Sequence, residues 1–201
     1  TEEEKVKLLN HSFDELWLNL WIHIDEVNQR IKQEFVRSKD IFEKLTKGVM
    51  KDDKYHNLSI IIHRSSKNYT ENEWEIPKGR RSGHENNKDC AIREFNEETN
   101  IHPQQYKIIT NMIPLIEEYR GINNVRYKHI YYVGTMEKRI ELNIDHENKE
   151  QYTEIKNISW LTERECYEKI RDYDEHKRKV VHSFFELYNN IYEKKKIHLK
   201  N

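Results

Sequence analysis

Residues 74–101 read WEIPKGRRSGHENNKDCAIREFNEETNI, and three carboxylates, Glu94, Glu97 and Glu98, stand near the end of this stretch. Positions i, i+3 and i+4 of an α-helix share one face, so these side chains are expected to point the same way. On a helical wheel they lie outside the arc that holds Phe95 and its apolar neighbours. Because like charges repel on a helix, the cluster needs a counter-charge, and hard divalent cations prefer oxygen ligands. The stretch therefore indicates a metal-binding helix.

An ordinary solvated helix face is the alternative interpretation, because 35% of the residues are charged. The surrounding spacing favours the metal site. Its fixed positions are Gly79, Glu85, Arg93, Glu94, Phe95, Glu97, Glu98, Asn100 and Ile101. In this order they resemble the Nudix box, G-x5-E-x7-R-E-U-x-E-E-x-G-U with U apolar, at every fixed position except the second glycine.

Asn100 stands where the box has that second glycine. The position is expected to end the helix in the left-handed conformation, which Asn tolerates best after Gly. We therefore expect the fold class to be α+β: a Nudix α/β/α sandwich, implied by the box, with an N-terminal all-helical domain.

Composition sets wider limits. A length of 201 residues allows one large domain or one domain with an appendage. The net charge is −1, so any anion binding must come from local patches. Two cysteines, Cys90 and Cys166, indicate a reducing compartment rather than a disulfide framework. No apolar run approaches the roughly 18–20 residues that span a bilayer.

Residues 1–50 are predicted to be helical. Ser12 and Glu15 have the spacing of a capping box. Apolar and aromatic residues then recur at helical steps: Phe13, Leu16, Trp17, Leu20, Trp21, Ile24 and Val27. We interpret the aromatic stripe as core, and the basic side of this region as a candidate surface for a polyanion.

From residue 58 onward the pattern changes to short strands. Strands are predicted at residues 58–63, 74–76, 106–109, 113–118, 127–134 and 155–160. The box helix is predicted to begin near Lys88, and residues 146–153 to form a polar loop. Helices are predicted from Leu161 onward, where Thr162 can serve as an N-cap.

The resemblance to Nudix enzymes implies roles for the box residues. The implied metal ligands are Glu94, Glu97, Glu98 and Gly79. They would hold Mg²⁺ or Mn²⁺, which neutralise a pyrophosphate and lower the pKa of an attacking water. Glu85 would support the site, and Arg93 would fix the helix, because its planar guanidinium can bridge two carboxylates.

The attacking water also needs a base, which Nudix enzymes often supply from a loop downstream of the box. Here the loop offers Glu147, Glu150 and Glu154. Glu154 stands just before a predicted strand, so its position would be fixed, whereas Glu150 has more freedom to reach across. The sequence leaves these alternatives open. The catalytic candidates are thus Glu94, Glu97, Glu98, Glu150 and Glu154.

A closer resemblance lies in and around the box. The segments W-E-I-P-K-G-R from Trp74 and C-A-I-R-E-F from Cys90 resemble a signature of mRNA-decapping Nudix hydrolases, W-x-[FI]-P-K-G-[KR] with C-A-x-R-E. The segments F-D-E-L-W, Y-K-H-I-Y and E-I-K-N-I-S-W are similar to decapping proteins of large DNA viruses, of the African swine fever virus and giant-virus kind. In that family a helical region helps to bind RNA. We therefore divide the chain into a helical RNA-binding region, 1–54, and a Nudix hydrolase domain, 55–201, with its box at 79–101.

The resemblance implies hydrolysis of the cap on host mRNA in the cytoplasm, with release of 7-methyl-GDP and 5′-monophosphate RNA. The basic residues expected to contact capped RNA are Lys78, Arg80, Arg81, Lys32 and Arg37. Two alternatives are a pyrophosphatase for a small diphosphate, such as diphosphoinositol polyphosphate, and a binding module on an inactive scaffold. The intact glutamates disfavour the second. Members of that family also have strands ahead of the helical region, and none is evident here, so we expect either that the chain is truncated or that an N-terminal segment is missing.

Overall fold

The chain forms two units, one helical and one mixed. The structure, a computed structural model, describes residues 1–21, 29–121 and 123–198. Contacts separate Thr1–Asn72 from the part that begins at Glu73. Helices and strands are both present, which confirms the α+β class. The functional division at residue 54 stays a prediction, and the predicted apolar positions Ile24 and Val27 lie outside the described residues.

Helices dominate the first unit, as predicted for residues 1–50. They are α1 (Glu2–Asn10), α2 (Phe13–Leu20), α3 (Gln29–Lys47) and α4 (Leu58–Arg64), with a hairpin of β1 (Val49–Lys51) and β2 (Lys54–His56). The predicted capping box between Ser12 and Glu15 is confirmed. The hairpin was not predicted. It turns through Asp52 and Asp53, both with positive φ, as a type I′ turn requires.

The aromatic stripe packs between α2 and α3. The ring of Phe35 meets Phe13 at 5.4 Å and Trp17 at 5.3 Å between centroids, both in edge-to-face arrangements. The ring of Trp21 lies 5.6 Å from that of Trp17. These contacts confirm the interpretation of the stripe as core.

The predicted strand at residues 58–63 is wrong, because this segment forms α4. Its apolar run is too short for periodicity to separate a strand from a buried helix. The residue in front of the run decides the outcome. The Asn57 side chain accepts a hydrogen bond of 2.8 Å from the Ile60 N–H, which caps a helix.

The second unit combines a box helix, short ladders and C-terminal helices. Its helices are α5 (Asn87–Thr99), α6 (Lys149–Glu154), α7 (Glu163–Lys169) and α8 (Glu175–His198). Its strands are β3 (Lys107–Ile108), β4 (Leu115–Arg120), β5 (Arg126–Tyr131) and β6 (Gly134–Thr135). β4 pairs antiparallel with β5 in a register that joins Glu117 to His129, and β3 pairs with β6. α8 packs against β4.

Three predictions for the second unit are wrong. Residues 74–76 and 155–160 do not form strands, and α6 occupies the predicted polar loop at 146–153. The side-chain pattern of a strand does not by itself supply a neighbouring strand to pair with. Instead, the Trp160 indole N–H donates to the Ile140 carbonyl at 2.8 Å. α6 begins because the Asn148 side chain accepts from the Gln151 N–H at 3.2 Å.

Both ends of the box helix α5 are capped. The Asn86 side chain accepts from the Asp89 N–H at 3.0 Å. At the other end Asn100 has φ 56° and ψ 23°, so the predicted left-handed ending is confirmed. The predicted N-cap of α7 at Thr162 is confirmed as well. Within the described ranges, no helix has the length and apolar character needed to cross a membrane.

Candidate active site

Arg93 is the centre of the box in the folded chain. Its guanidinium donates two hydrogen bonds to the Glu85 carboxylate, from Nε at 2.9 Å and from Nη2 at 3.0 Å. Nη1 donates to Glu97 at 2.8 Å, and Nη2 lies 2.8 Å from a Glu94 oxygen. One planar cation thus bridges three box carboxylates, which only the forked geometry of arginine allows.

Glu85 is held in the loop that leads into α5. Its carboxylate accepts the Ser82 N–H at 3.1 Å in addition to the two Arg93 bonds. These contacts, with the Arg93 hydrogen bond foremost, lower the pKa of Glu85 from its ordinary value of 4.5 to about 2. Glu85 is therefore an anion at any physiological pH and ties the loop to the helix.

Gly79 lies directly against the Glu94 carboxylate. A Cβ atom added at this glycine would overlap the carboxylate, so any side chain at position 79 would displace it. The Gly79 carbonyl also lies 3.8 Å from the Cys90 sulfur. The absence of a side chain at position 79 thus leaves room for the Glu94 carboxylate at the start of the box.

Glu98 has the backbone N–H of Lys78 as a hydrogen-bond donor and carboxylates near it. The carboxylate is half-buried and accepts the Lys78 N–H at 3.2 Å. Burial is the largest cause that raises its pKa from 4.5 to about 7; the charges of Glu94 and Glu154 also raise it, whereas the hydrogen bond and charge of Lys78 lower it. The Glu98 carboxylate is therefore costly to ionise chiefly because it is withdrawn from water.

Glu154 reaches this region because α6 is fastened to α5. The Gln151 side chain is 1% exposed, and its Nε2 donates to the Glu98 carbonyl at 3.1 Å. Its Oε1 accepts the Asp145 N–H at 2.8 Å. One buried amide thus joins the loop, α6 and the end of the box helix.

The three candidate bases differ in what the structure says of them. Glu154, the last residue of α6, acts electrostatically on Glu98. Glu147 is exposed, and its N–H donates to the Asp145 side chain at 2.9 Å. Glu150 lies in α6, but its side chain lies outside the described residues. Of the candidates with a described side chain, Glu154 has the demonstrated interaction with the box.

The donor set suits a hard cation, although the box carboxylates are not gathered into one tight trio. Glu94 and Glu97 each direct one oxygen to Arg93, and each keeps a second oxygen for another partner. Carboxylate and carbonyl oxygens are the ligands that Mg²⁺ and Mn²⁺ prefer. Three acidic side chains do come within 4.8 Å of one another elsewhere in the described part of the chain. They are Glu73, Glu75 and Asp174.

The basic residues predicted to contact substrate occupy both units. Lys78 is half-buried, with Nζ 3.6 Å from Glu75. Arg80 is exposed, and its carbonyl accepts from Arg93 at 3.0 Å. Arg81 is exposed and donates to the Glu85 carbonyl at 3.5 Å. In the first unit, Lys32 and Arg37 are exposed side chains of α3.

Sequence analysis missed Gln151 and the buried Lys177. Gln151 was hidden because residues 146–153 were predicted to be a loop, where a buried amide is not expected. Lys177 is 3% exposed, and its ammonium lies 2.7 Å from Glu75, 102 residues away in sequence. Two residues so far apart in sequence form no motif whose spacing could predict their contact. The Asn148 cap was the one available hint of α6.

Comparison with known proteins gives a family and several viral relatives. The NUDIX domain model matches residues 48–184. A putative mRNA-decapping protein of Acanthamoeba polyphaga mimivirus is 38% identical over 110 residues, which are 54% of this chain and 30% of the relative. The mRNA-decapping protein g5R of African swine fever virus (isolate Pig/Kenya/KEN-50/1950) is 29% identical over 163 residues, 80% of this chain and 62% of that protein. The chain thus spans less than two thirds of each relative.

Proposed function

The chain belongs to the Nudix family, whose domain model covers residues 48–184, and we propose that it is a metal-dependent mRNA-decapping hydrolase. Its substrate would be capped RNA in the host cytoplasm, and its products 7-methyl-GDP and 5′-monophosphate RNA. The names of the mimivirus and African swine fever virus relatives support this choice of substrate. So does the similarity across 80% of the chain, which extends well beyond the box.

The burial of the Glu98 carboxylate beside other acidic side chains is the observation that carries the enzymatic part of the proposal. A half-buried carboxyl whose pKa is raised to about 7 beside two further carboxylates is costly to ionise. A divalent cation would offset that cost by giving the oxygens a shared counter-charge. The arrangement is thus suited to receiving a cation and unsuited to being a solvated surface.

Some box residues would bind Mg²⁺ or Mn²⁺ directly, and Arg93 would hold two of these ligands in position. Glu94, Glu97 and Glu98 would be ligands together with the carbonyl of Gly79, a residue that lies against the Glu94 carboxylate. When bound, such an ion neutralises pyrophosphate oxygens and lowers the pKa of a coordinated water. Arg93 restrains Glu94 and Glu97 through contacts of 2.8 Å, so both carboxylates are held in place before the ion arrives.

Glu154 would act as the general base. Its carboxylate is exposed at the end of α6 and interacts electrostatically with Glu98. A base must lie within reach of the attacking water, and Gln151 fixes α6 to the box helix at 3.1 Å. Glu154 would take a proton from the water on a carboxylate oxygen as the water oxygen bonds to the phosphorus nearest the RNA. The bond from that phosphorus to 7-methyl-GDP would break, so that 7-methyl-GDP leaves and the RNA keeps a 5′-monophosphate.

Basic side chains would bind the anionic parts of the substrate. Lys78 immediately precedes the box, and Arg80 and Arg81 stand at its start, where they would contact the triphosphate bridge. Lys32 and Arg37, exposed on α3, would bind the phosphates of the RNA backbone.

Three substrates separate this function from its alternatives. Cap-labelled long RNA, free cap dinucleotide and a diphosphoinositol polyphosphate are each incubated with the protein and Mn²⁺. We expect 7-methyl-GDP to be released from the long RNA, and the release to fall at least about 100-fold in Glu98→Gln, because a charged ligand is lost. Glu141→Gln, a change at an exposed glutamate of the same unit, serves as the control and should keep full activity.

Hydrolysis of the diphosphoinositol polyphosphate alone would replace the decapping proposal with the small-diphosphate function. If the folded parent protein turns over none of the three substrates, both enzymatic functions are excluded. Equal loss of activity in Glu98→Gln and Glu141→Gln would show that the effect does not arise at the box.

A further inference from the structure

Lys177 is a buried cation that the catalytic roles above do not use. It lies near the start of α8 and is 3% exposed. Its Nζ lies 2.7 Å from Glu75 Oε1 and 2.7 Å from Asp174 Oδ2. Burial by itself lowers the pKa of Lys177, but the hydrogen bonds to Asp174 and Glu75 outweigh it and raise the pKa overall. The ammonium is therefore charged and satisfied by two carboxylates.

The two carboxylates bind Lys177 from different parts of the chain. Asp174 is a local partner, three residues away, which also accepts the Lys177 N–H at 3.0 Å. Glu75 belongs to the segment that leads into the box, 102 residues away. The contact with Asp174 thus shapes the start of α8, whereas the contact with Glu75 fastens the segment before the box to α8.

Glu75 is connected through Lys78 to Glu98, one of the proposed metal ligands. The other oxygen of Glu75 lies 3.6 Å from Lys78 Nζ, and the Lys78 N–H donates to Glu98 at 3.2 Å. Pro77 stands between Glu75 and Lys78, and its fixed φ limits how freely the two residues can move relative to each other. A displacement of Glu75 would therefore shift the N–H that holds Glu98.

We propose that Lys177 is a positioning residue for the metal site: it anchors Glu75, which holds Lys78 so that its backbone N–H keeps the Glu98 carboxylate in place. The proposal rests on the metal-dependent function above, but metal binding alone can test it. Buried groups that orient a ligand typically change metal affinity by about 10- to 100-fold when removed.

Other contacts also hold this segment, and they provide a matched control. The Tyr173 hydroxyl donates to Glu73 at 3.0 Å, and the Lys169 ammonium lies 5.0 Å from the centre of the Trp74 ring. Tyr173→Phe removes a contact to the same segment and leaves Lys177, Glu75 and Lys78 themselves unchanged. It separates the specific anchor from a general loosening.

The test is a titration of the full chain with Mn²⁺, followed by electron paramagnetic resonance of the free ion. We expect Lys177→Met and Glu75→Gln each to weaken Mn²⁺ binding about tenfold or more, and the double variant to be no weaker than the worse single variant. Tyr173→Phe and the exposed-site control Lys179→Met should bind like the parent. Melting temperatures are measured in parallel to report the structural effect separately.

Parental Mn²⁺ affinity in Glu75→Gln overturns the proposal, and so does an additive double variant. Because Glu75 is exposed, we expect Glu75→Gln to fold, and it tests the proposal even if Lys177→Met does not fold. Equal weakening in Tyr173→Phe also overturns it, since the effect would then be general. If the Mn²⁺ pattern is found but no RNA is decapped, the decapping function fails while the positioning role of Lys177 stands.

Discussion

Arg93 and Glu85 form a bidentate ion pair that joins the box helix to the loop before it, with hydrogen bonds of 2.9 and 3.0 Å. The same guanidinium contacts Glu94 and Glu97. The pair therefore fixes the loop and also sets the direction of two proposed metal ligands.

Replacing Arg93 by lysine should impair the site even though the positive charge is kept. A lysine ammonium is a point charge and cannot hold Glu85, Glu94 and Glu97 with one planar group. We expect Mn²⁺ affinity to fall by about 10-fold or more, measured by calorimetric titration. Arg164→Lys, at an exposed pair on α7, is the control. Unchanged affinity in Arg93→Lys would contradict the bridging role.

The low pKa of Glu85 gives the fold an acid-sensitive contact. A folded-state pKa of about 2, below the ordinary 4.5, stabilises the protein above pH 4.5, and that stability is lost as the pH falls from 4.5 towards 2. Glu85→Gln should therefore have a lower midpoint in urea than the parent at pH 6. The difference should shrink as the pH falls through this window, and a constant difference would argue against the pair.

In metal-free protein, the contribution of Glu98 to stability should depend on pH in the opposite sense to that of Glu85. Its folded-state pKa of about 7 lies above 4.5, so its contribution is favourable below pH 4.5 and is lost as the pH rises through 7. Without metal, Glu98→Gln should melt higher than the parent at pH 8 and approach it near pH 4.5. Saturating Mn²⁺ should stabilise the parent more than the variant and reverse the order. The same order of melting temperatures under all conditions would show that burial of the ionised Glu98 carboxylate does not destabilise the fold.

Gly79→Ala should disturb the metal site more than the fold. The new methyl group would overlap the Glu94 carboxylate, which must then turn away from its present position. We expect decapping activity to drop by about 10- to 100-fold, with weaker Mn²⁺ binding. Gly134→Ala, where the added atom meets only ordinary contacts from 3.4 Å outward, is the matched control. Parental activity in Gly79→Ala would remove Glu94 from the ligand set.

Charge reversal on α3 tests the predicted RNA surface of the first unit. Lys32→Glu with Arg37→Glu should weaken binding of a long RNA and lower the slope of log affinity against log salt by about 1–2. Cleavage of the free cap dinucleotide should be unaffected. Reversal of Lys51 and Lys54, exposed residues of the hairpin in the same unit, controls for net charge. Equal effects of the two pairs would show that α3 has no special role.

Sequence analysis succeeded where a local pattern has one physical meaning. The box spacing predicted the helix α5, and Asn100 predicted its left-handed end, because helix periodicity and backbone conformation are properties of neighbouring residues. It failed at residues 58–63, where β-branched residues favoured a strand and the Asn57 cap decided for a helix. The link between Lys177 and Glu75 could not be predicted, since it depends on how α8 packs rather than on any spacing.

Asn100 is the one position where the chain departs from the box pattern. Its side chain makes a hydrogen bond that the glycine of the pattern could not make. Glycine would adopt φ 56° more easily, but it has no group to reach beyond the helix. The Asn100 amide donates to the Asp145 carboxylate at 3.3 Å, beside the loop that Gln151 also ties to α5. The residue that ends the helix thus also holds, through Asp145, the segment that carries Glu154. Transplanting that segment between relatives should succeed only when residue 100 travels with it.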